Sequence, residues 1–271
     1  MVNERPTPYR ELNHVLHELA TSARSILGRD FVGAYLQGSF ALGDFDEHSD
    51  VDFAIVVEDE PDDGQVAALQ SMHARVYGLQ SSWAQHLEGS YFTRKLIKRL
   101  DPSRAEPWYL DNGSRELVPS DHCNTAVVRW CVRERGIALA GPEPRTLVDP
   151  VSGDDLRLEV SATMRWWADM IFADPREMDR WWYPSFTVLT YCRMLYTLES
   201  GMISSKPVAA RWAQETLDQR WAPLIRRAWE VRPSLSSRVG RRADPDELSG
   251  TLEFIRYAVD VAALRFDGAR P

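Results

Sequence analysis

Cysteine is scarce in this chain of 271 residues: Cys123, Cys131 and Cys192 are three, an odd number set far apart. That excludes a disulfide framework and any CxxC metal site, and it fits a reducing cytoplasm. Long apolar runs are also missing. No stretch reaches eighteen uninterrupted apolar residues and the N-terminus carries no apolar leader, so neither membrane spanning nor export is expected. Positive charge is in deficit, with 32 Lys and Arg against 40 Asp and Glu and a net charge of −8. A general electrostatic grip on nucleic acid or on an anionic membrane is thereby disfavoured, while a small cationic partner is accommodated. There is no internal repeat and no low-complexity tract. What is there, 44% hydrophobic and 27% charged residues, belongs to a globular chain with enough length for one large domain or two modest ones.

The most informative stretch is Gly38 to Val57. Ahead of it, Phe31 to Leu36 is a short apolar run closed by Gly38-Ser39, which predicts a buried strand. After it, Val51 to Val57 predicts a second strand, with Asp50 and Asp52 two residues apart at its entrance. Strand alternation points both carboxylates to one face, where they repel unless a cation joins them. Mg²⁺ suits such a pair, because it is commonly held by one or two carboxylates together with substrate phosphates. Gly38 allows close backbone approach to a bound group, and Ser39 offers a hydroxyl and nearby N–H groups to an anion. Phosphate on one side and metal carboxylates on the other describe a nucleotide site. A strand, Gly-Ser, ten residues, Asp-x-Asp and a second strand resemble the nucleotidyltransferase superfamily that includes DNA polymerase β.

The flanking chain supports a layered domain. Residues 8 to 28 form a predicted amphipathic helix with Leu12, Val15, Leu16, Leu19, Ala23 and Ile26 on one stripe and Gly28 at its end. His14 and His17 on that helix, and His73 and His86 later, read as surface or packing residues. Gln65 to Leu79 predicts the helix that leads to a third strand, Trp83 to Phe92. Glu88 inside that aromatic segment is costly unless exposed, paired or bound to metal. Beside the Asp-x-Asp strand it would supply a third carboxylate, as metal ligand or as the base that takes a hydroxyl proton. The basic residues Arg94, Lys95, Lys98, Arg99 and Arg104 read as a solvated face. Glu106 to Gly113 reads as a loop in which Trp108 and Tyr109 either pack or line a pocket. Asn124 to Arg135 predicts a helix and Gly136 to Pro142 a last short strand or turn. Thr146 to Asp155, rich in Pro, Gly and Asp, is the boundary candidate.

Beyond it the pattern is helical, clearest in the last helix, where Ile255, Ala258, Val259, Ala262 and Phe266 share a face closed by Asp267-Gly268. Val188 to Leu198 and Val208 to Leu217 are further helices. A sheet domain followed by a bundle would leave a cleft between them suited to a small molecule. Pro207 puts Lys206 at a helix start, a phosphate candidate that Arg193 could join. Asp179 beside Trp181, Trp182 and Tyr183 suits a polyhydroxylated amine, and the same aromatics suit a bundle core.

Taken together, Gly38-Ser39, His48 to Asp52, Leu87-Glu88, the Ala138 to Pro142 turn with Leu147 to Val151, and Gly201 to Ala213 resemble the streptomycin/spectinomycin adenylyltransferases along nearly the whole chain. The resemblance implies an α/β (α+β) nucleotidyltransferase domain with a small mixed sheet over residues 1–153 and an all-α bundle over 154–271. It implies transfer of AMP from ATP to a hydroxyl of a small polyhydroxylated, cationic acceptor such as an aminoglycoside or aminocyclitol. Asp50, Asp52 and Glu88 would hold Mg²⁺, two ions by the superfamily's chemistry, with Glu88 as base. Gly38, Ser39, Arg193 and Lys206 would contact the nucleotide. Asp179, Trp182, Tyr183 and Trp108 would face the acceptor, with Tyr183 standing where the family carries a second acid. Two other classes stay open on the residues alone: a nucleotidyltransferase acting on a protein or RNA partner, and a catalytically silent nucleotide-binding module.

Overall fold

The apolar stripe near the N-terminus folds as α1 (Arg10–Leu27), with Leu12, Val15, Leu16, Leu19, Ala20, Ala23 and Leu27 buried and Gly28 ending it at φ 57°. His14 and His17 stand exposed on its outer side, and Ile26 is half-buried, Leu27 taking the inner position expected of it. The computed structural model describes residue 3 and residues 5–46, 49–100, 104–231 and 242–267, with backbone alone at Glu177, Phe266 and Asp267. The chain divides into two compact units, Met1–Val151 and Ser152–Pro271. No described helix is long and apolar enough to cross a membrane.

The first unit is built on a six-stranded sheet. In chain order its strands are β1 (Phe31–Leu36), β2 (Val51–Val57), β3 (Leu87–Thr93), β4 (Trp108–Leu110), β5 (Leu117–Pro119) and β6 (Ile137–Ala140). Their spatial order is β5-β4-β3-β2-β1-β6, and of these pairings only β2 with β3 is parallel. A parallel pair needs a crossover, and α3 (Asp63–Tyr77) provides it, started by Asp62 and Gln65 in a reciprocal capping box. Between β1 and β2 lies the short α2 (Gly38–Leu42). After β3 comes α4 (Arg94–Lys98), and α5 (Ala126–Arg135), capped by Thr125, precedes β6.

Strand alternation gives the sheet two faces. On one, Phe53 and Tyr91 pack with His73 of α3: the Phe53 and His73 rings stack at 5.8 Å, and the His73 Nε2 lies 2.7 Å from the Tyr91 hydroxyl. On the other, Tyr35, Ala54, Val56, Phe92 and Tyr109 form a core with Cys123, Val132, Leu147 and Val148. The carboxylates of interest lie at one end of this second face.

Two segments differ from the sequence expectation. Ser82–Gln85 is a 3-10 turn, and the strand starts only at Leu87. Its buried aromatic, Trp83, packs 5.3 Å from Tyr9 and 5.6 Å from Phe40, so side-chain packing rather than sheet pairing buries it. Glu106 to Gly113, read as loop, contains β4, because its three strand residues pair with Gly89, Ser90 and Tyr91.

The second unit is helical: α6 (Gly153–Ala173), α7 (Tyr183–Ser200), α8 (Lys206–Thr216), α9 (Ala222–Glu230) and α10 (Pro245–Ala262). α7 packs against the other four and buries Val188, Leu189, Tyr191, Cys192, Leu195 and Leu198. The Arg157 Nε donates to the Leu198 carbonyl at 2.9 Å, satisfying a last-turn acceptor of α7 just before Gly201 turns the chain at φ 67°. In α10 the expected stripe is present through Ala262, after which Ala263–Asp267 forms a π turn; the Phe266 side chain and Gly268 lie outside the described residues.

Candidate active site

Parallel pairing sets Asp52 directly opposite Glu88, so both side chains emerge on the same face of the sheet. The chain returns to this point through β1: the Gln37 N–H donates to the Asp52 carbonyl at 2.8 Å, and Gly38 follows at φ 63°. A Cβ on Gly38 would sit 1.9 Å from the Asp52 Oδ2. Only glycine allows both this approach and this backbone conformation, so the Gly-Ser motif and the Asp-x-Asp motif are parts of one surface. Ser39, half-buried, opens the first turn of α2 beside it. Asp50, also half-buried, precedes β2, where the Val51 N–H bonds to the His86 carbonyl at 3.0 Å. Ser49 and Asp46 close the intervening turn, with the Asp46 N–H donating to the Ser49 Oγ at 3.0 Å. His48 of the expected motif lies outside the described residues.

Glu88 is held from a second direction. The Tyr109 hydroxyl donates to the Glu88 Oε1 at 2.8 Å, and the His122 Nε2 lies 3.3 Å from the same oxygen. Tyr109 reaches Glu88 because it pairs with Ser90, two residues along the same face. Its hydroxyl also lies 2.9 Å from the Asp111 Oδ1. Burial, then the Glu88 and Asp111 carboxylates, push the Tyr109 phenol far above its ordinary value, so it stays a neutral donor. The hydrogen bond to Glu88 raises the His122 imidazole above its usual range. Burial, with the Glu88 charge as a second cause, raises the Cys123 thiol beneath, leaving it inert.

Among the described residues, no group of three or more His, Cys, Asp or Glu side chains is disposed to hold a metal ion. The structure therefore sets Asp52 beside Glu88 without gathering Asp50 and both of them into a three-ligand group. The strand register that aligns 52 with 88 stops at Val51, and the Glu88 Oε1 is turned toward Tyr109 and His122. The donor chemistry remains that of a hard cation: carboxylate oxygens, two of them on neighbouring strands.

The other expected residues fall in different places. Trp108 is not brought to this group. It pairs with Tyr91, so alternation sends its ring to the opposite face of the sheet from Tyr109 and Glu88. In the helical unit, Arg193 and Lys206 gather at the α7–α8 junction. The Arg193 Nε donates to the Ser204 carbonyl at 3.2 Å, and Lys206 opens α8 with its Nζ 5.9 Å from the Phe186 ring. Asp179 is half-exposed, its Oδ2 3.5 Å from the Arg242 Nε, and its carbonyl accepts from the Ala243 N–H at 2.8 Å. Trp182 and Tyr183 lie 5.2 Å apart at the start of α7 and extend to Phe186 and to Trp167 of α6, whose Nε1 donates to the Tyr183 hydroxyl at 3.3 Å. Trp182 and Tyr183 are half-buried, Trp167 is buried and Phe186 is exposed, so part of the cluster packs the bundle and part faces outward. Asp111 and His122 were missed as functional residues, and Tyr109 was read only as an aromatic that packs or lines a pocket. Only Tyr109 carried a signal, as the second aromatic of a pair whose alternation would have separated it from Trp108 had the segment been read as strand.

Two family models match successive parts of the chain. Residues 18–103 match the family described as nucleotidyltransferase domain, and residues 146–253 match the aminoglycoside adenylyltransferase, C-terminal domain. The chain is 26% identical over 262 residues to an aminoglycoside (3'') (9) adenylyltransferase of Shigella flexneri, covering 90% of this chain and 94% of that one. It is 24% identical over 238 residues to a spectinomycin 9-adenylyltransferase of Campylobacter jejuni, covering 85% and 86%. In fold it is similar to a spectinomycin adenyltransferase, AAD(9), from Enterococcus faecialis, solved with ATP and spectinomycin, at a TM-score of 0.66 and 15% identity over 91% of this chain and 98% of that one. The shared architecture is a mixed-sheet nucleotidyltransferase domain followed by a helical domain.

Proposed function

We propose that this chain, an adenylyltransferase of the nucleotidyltransferase superfamily, transfers AMP from ATP to a hydroxyl of an aminocyclitol or aminoglycoside antibiotic. The observation that carries the reading is the Asp52–Glu88 register pair under Gly38, in a chain whose two halves match nucleotidyltransferase and aminoglycoside adenylyltransferase families. In the reaction the acceptor oxygen attacks the α-phosphorus, its O–H proton passes to Glu88, and the bond from the α-phosphorus to pyrophosphate breaks. Glu88 stands on the rigid sheet, which suits a base that must meet a hydroxyl at hydrogen-bond distance. Of the three acids proposed for Mg²⁺, Asp52 and Glu88 stand side by side and Asp50 would have to join them; bound there, the ion would neutralise phosphate charge, a contribution of several kcal/mol. In the first unit Gly38 and Ser39 are assigned to the nucleotide; in the helical unit Arg193 and Lys206 are its phosphate candidates, and Asp179, Trp182 and Tyr183 are assigned to the acceptor.

The acceptor side favours few cationic groups. Asp179 already faces Arg242, and Tyr183 brings a hydroxyl engaged by Trp167 rather than a second acid. Spectinomycin-like acceptors fit this better than strongly polycationic ones. The test is a screen of α-labelled ATP, GTP, CTP and UTP against spectinomycin, streptomycin and kanamycin. Label from ATP on spectinomycin is the expected result; no label from any nucleotide on any of the three would overturn the reading.

A further inference from the structure

The hydrogen bonds around Glu88 are one-sided. Both of its partners, the Tyr109 hydroxyl at 2.8 Å and the His122 Nε2 at 3.3 Å, fall on Oε1, and among the described residues Oε2 has no hydrogen-bond partner. The carboxylate is 19% exposed, whereas the His122 side chain is largely exposed and Tyr109 is 5% exposed. The Tyr109 and His122 rings lie 5.1 Å apart and tilted, so they close on Oε1 as one unit. Tyr109 has a single proton for two carboxylates, Glu88 and Asp111. Asp111 is exposed and water can satisfy it, while half-buried Glu88 depends on the phenol.

We propose that Tyr109 and His122 are positioning residues for Glu88: they fix its carboxylate through Oε1 and leave Oε2 as the oxygen that meets the acceptor hydroxyl. A carboxylate on a long side chain otherwise samples several rotamers, and a displacement on the order of 1 Å at a reacting atom costs about a hundredfold in rate. Tyr109 is suited to the task because it stands on β4 in the same sheet as Glu88, so the backbone sets the distance between them. His122 adds a donor at 3.3 Å from the loop before α5, and its exposure keeps it hydrated while it does so. The inference rests on the reading of Glu88 as the base.

The test combines structure and kinetics. Crystal structures of wild type and Tyr109→Phe need no acceptor: wild type is expected to keep the Glu88 Oε1 within hydrogen-bond reach of the phenol, and Tyr109→Phe to show the carboxylate turned or in two conformers. An unmoved Glu88 in Tyr109→Phe would overturn the proposal. With ATP and spectinomycin, Tyr109→Phe and His122→Ala are each expected to lower kcat by about tenfold to a hundredfold with KM for either substrate within about twofold, and His122→Gln to recover most of the loss. In a Glu88→Gln background the same two changes should cost nothing further. Equal losses in both backgrounds, or loss carried by KM alone, would refute positioning. Full activity of Glu88→Gln would instead remove Glu88 as base, a different failure read from a different variant.

Discussion

Replacing Gly38 with alanine tests the join between the two motifs. The added Cβ would lie 1.9 Å from the Oδ2 and 2.6 Å from the Cγ of Asp52. To reach an ordinary contact the carboxylate must withdraw by about 1.5 Å. The backbone at φ 63° adds strain of about 1–2 kcal/mol for a residue with a Cβ. That strain should lower the melting temperature by only a few degrees, about 2–4 °C per kcal/mol for a unit of this size. The functional loss should be far larger, because Asp52 is displaced from its place opposite Glu88: about a hundredfold in kcat/KM. Thermal melts and steady-state transfer from ATP to spectinomycin measure the two effects separately. Should Gly38→Ala keep kcat/KM within about threefold of wild type, Asp52 does not work from the position in which it is seen here.

Asp50→Ala and Asp52→Ala should each abolish transfer with unchanged far-UV circular dichroism, since neither removes core packing; activity retained by either at saturating Mg²⁺ would detach that residue from the metal. Asp179→Asn should raise the KM for spectinomycin by about tenfold, the low end for a charge-assisted contact because the carboxylate is half-exposed and already faces Arg242, while KM for ATP stays put. Burial pushes the His73 imidazole down from 6.5 to about 4. The unfolded chain then binds a proton that the folded one refuses, so stability is full above about pH 6.5 and falls by about 3 kcal/mol on going down to pH 4. Urea titrations of wild type and His73→Phe across that range should diverge, and parallel curves would mean that His73 titrates normally.

The parts of the site that were legible are those in which local sequence dictates local geometry. β1, the Gly38 turn and β2 are consecutive, so strand alternation and a positive-φ glycine define them within the single stretch Phe31 to Val57. Glu88 was legible at one remove: α3 is long enough to return the chain in parallel, and the strand after it, Leu87–Thr93, carries Glu88 as its one charged residue. The hold on Glu88 was not legible. β4 is three residues long with charged and glycine neighbours, its pairing is antiparallel to β3, and its register alone decides that Tyr109 rather than Trp108 faces the carboxylate. His122 arrives from a loop with no periodicity. In the helical unit, periodicity located α8, α10 and the later turns of α7, but α6 and α9 were not singled out, and the first turn of α7 at Tyr183-Pro184 lies ahead of the stretch read as helix.

The central claim is that Glu88 removes the proton from the acceptor hydroxyl. A single-turnover measurement with α-labelled ATP, Mg²⁺ and spectinomycin on wild type and Glu88→Gln tests it most directly, paired with calorimetric binding of a non-hydrolysable ATP analogue. The amide keeps the size and a weak oxygen ligand but accepts no proton, so nucleotide affinity should be largely preserved and label transfer lost by about two to four orders of magnitude. Transfer by Glu88→Gln at the wild-type rate would contradict the account.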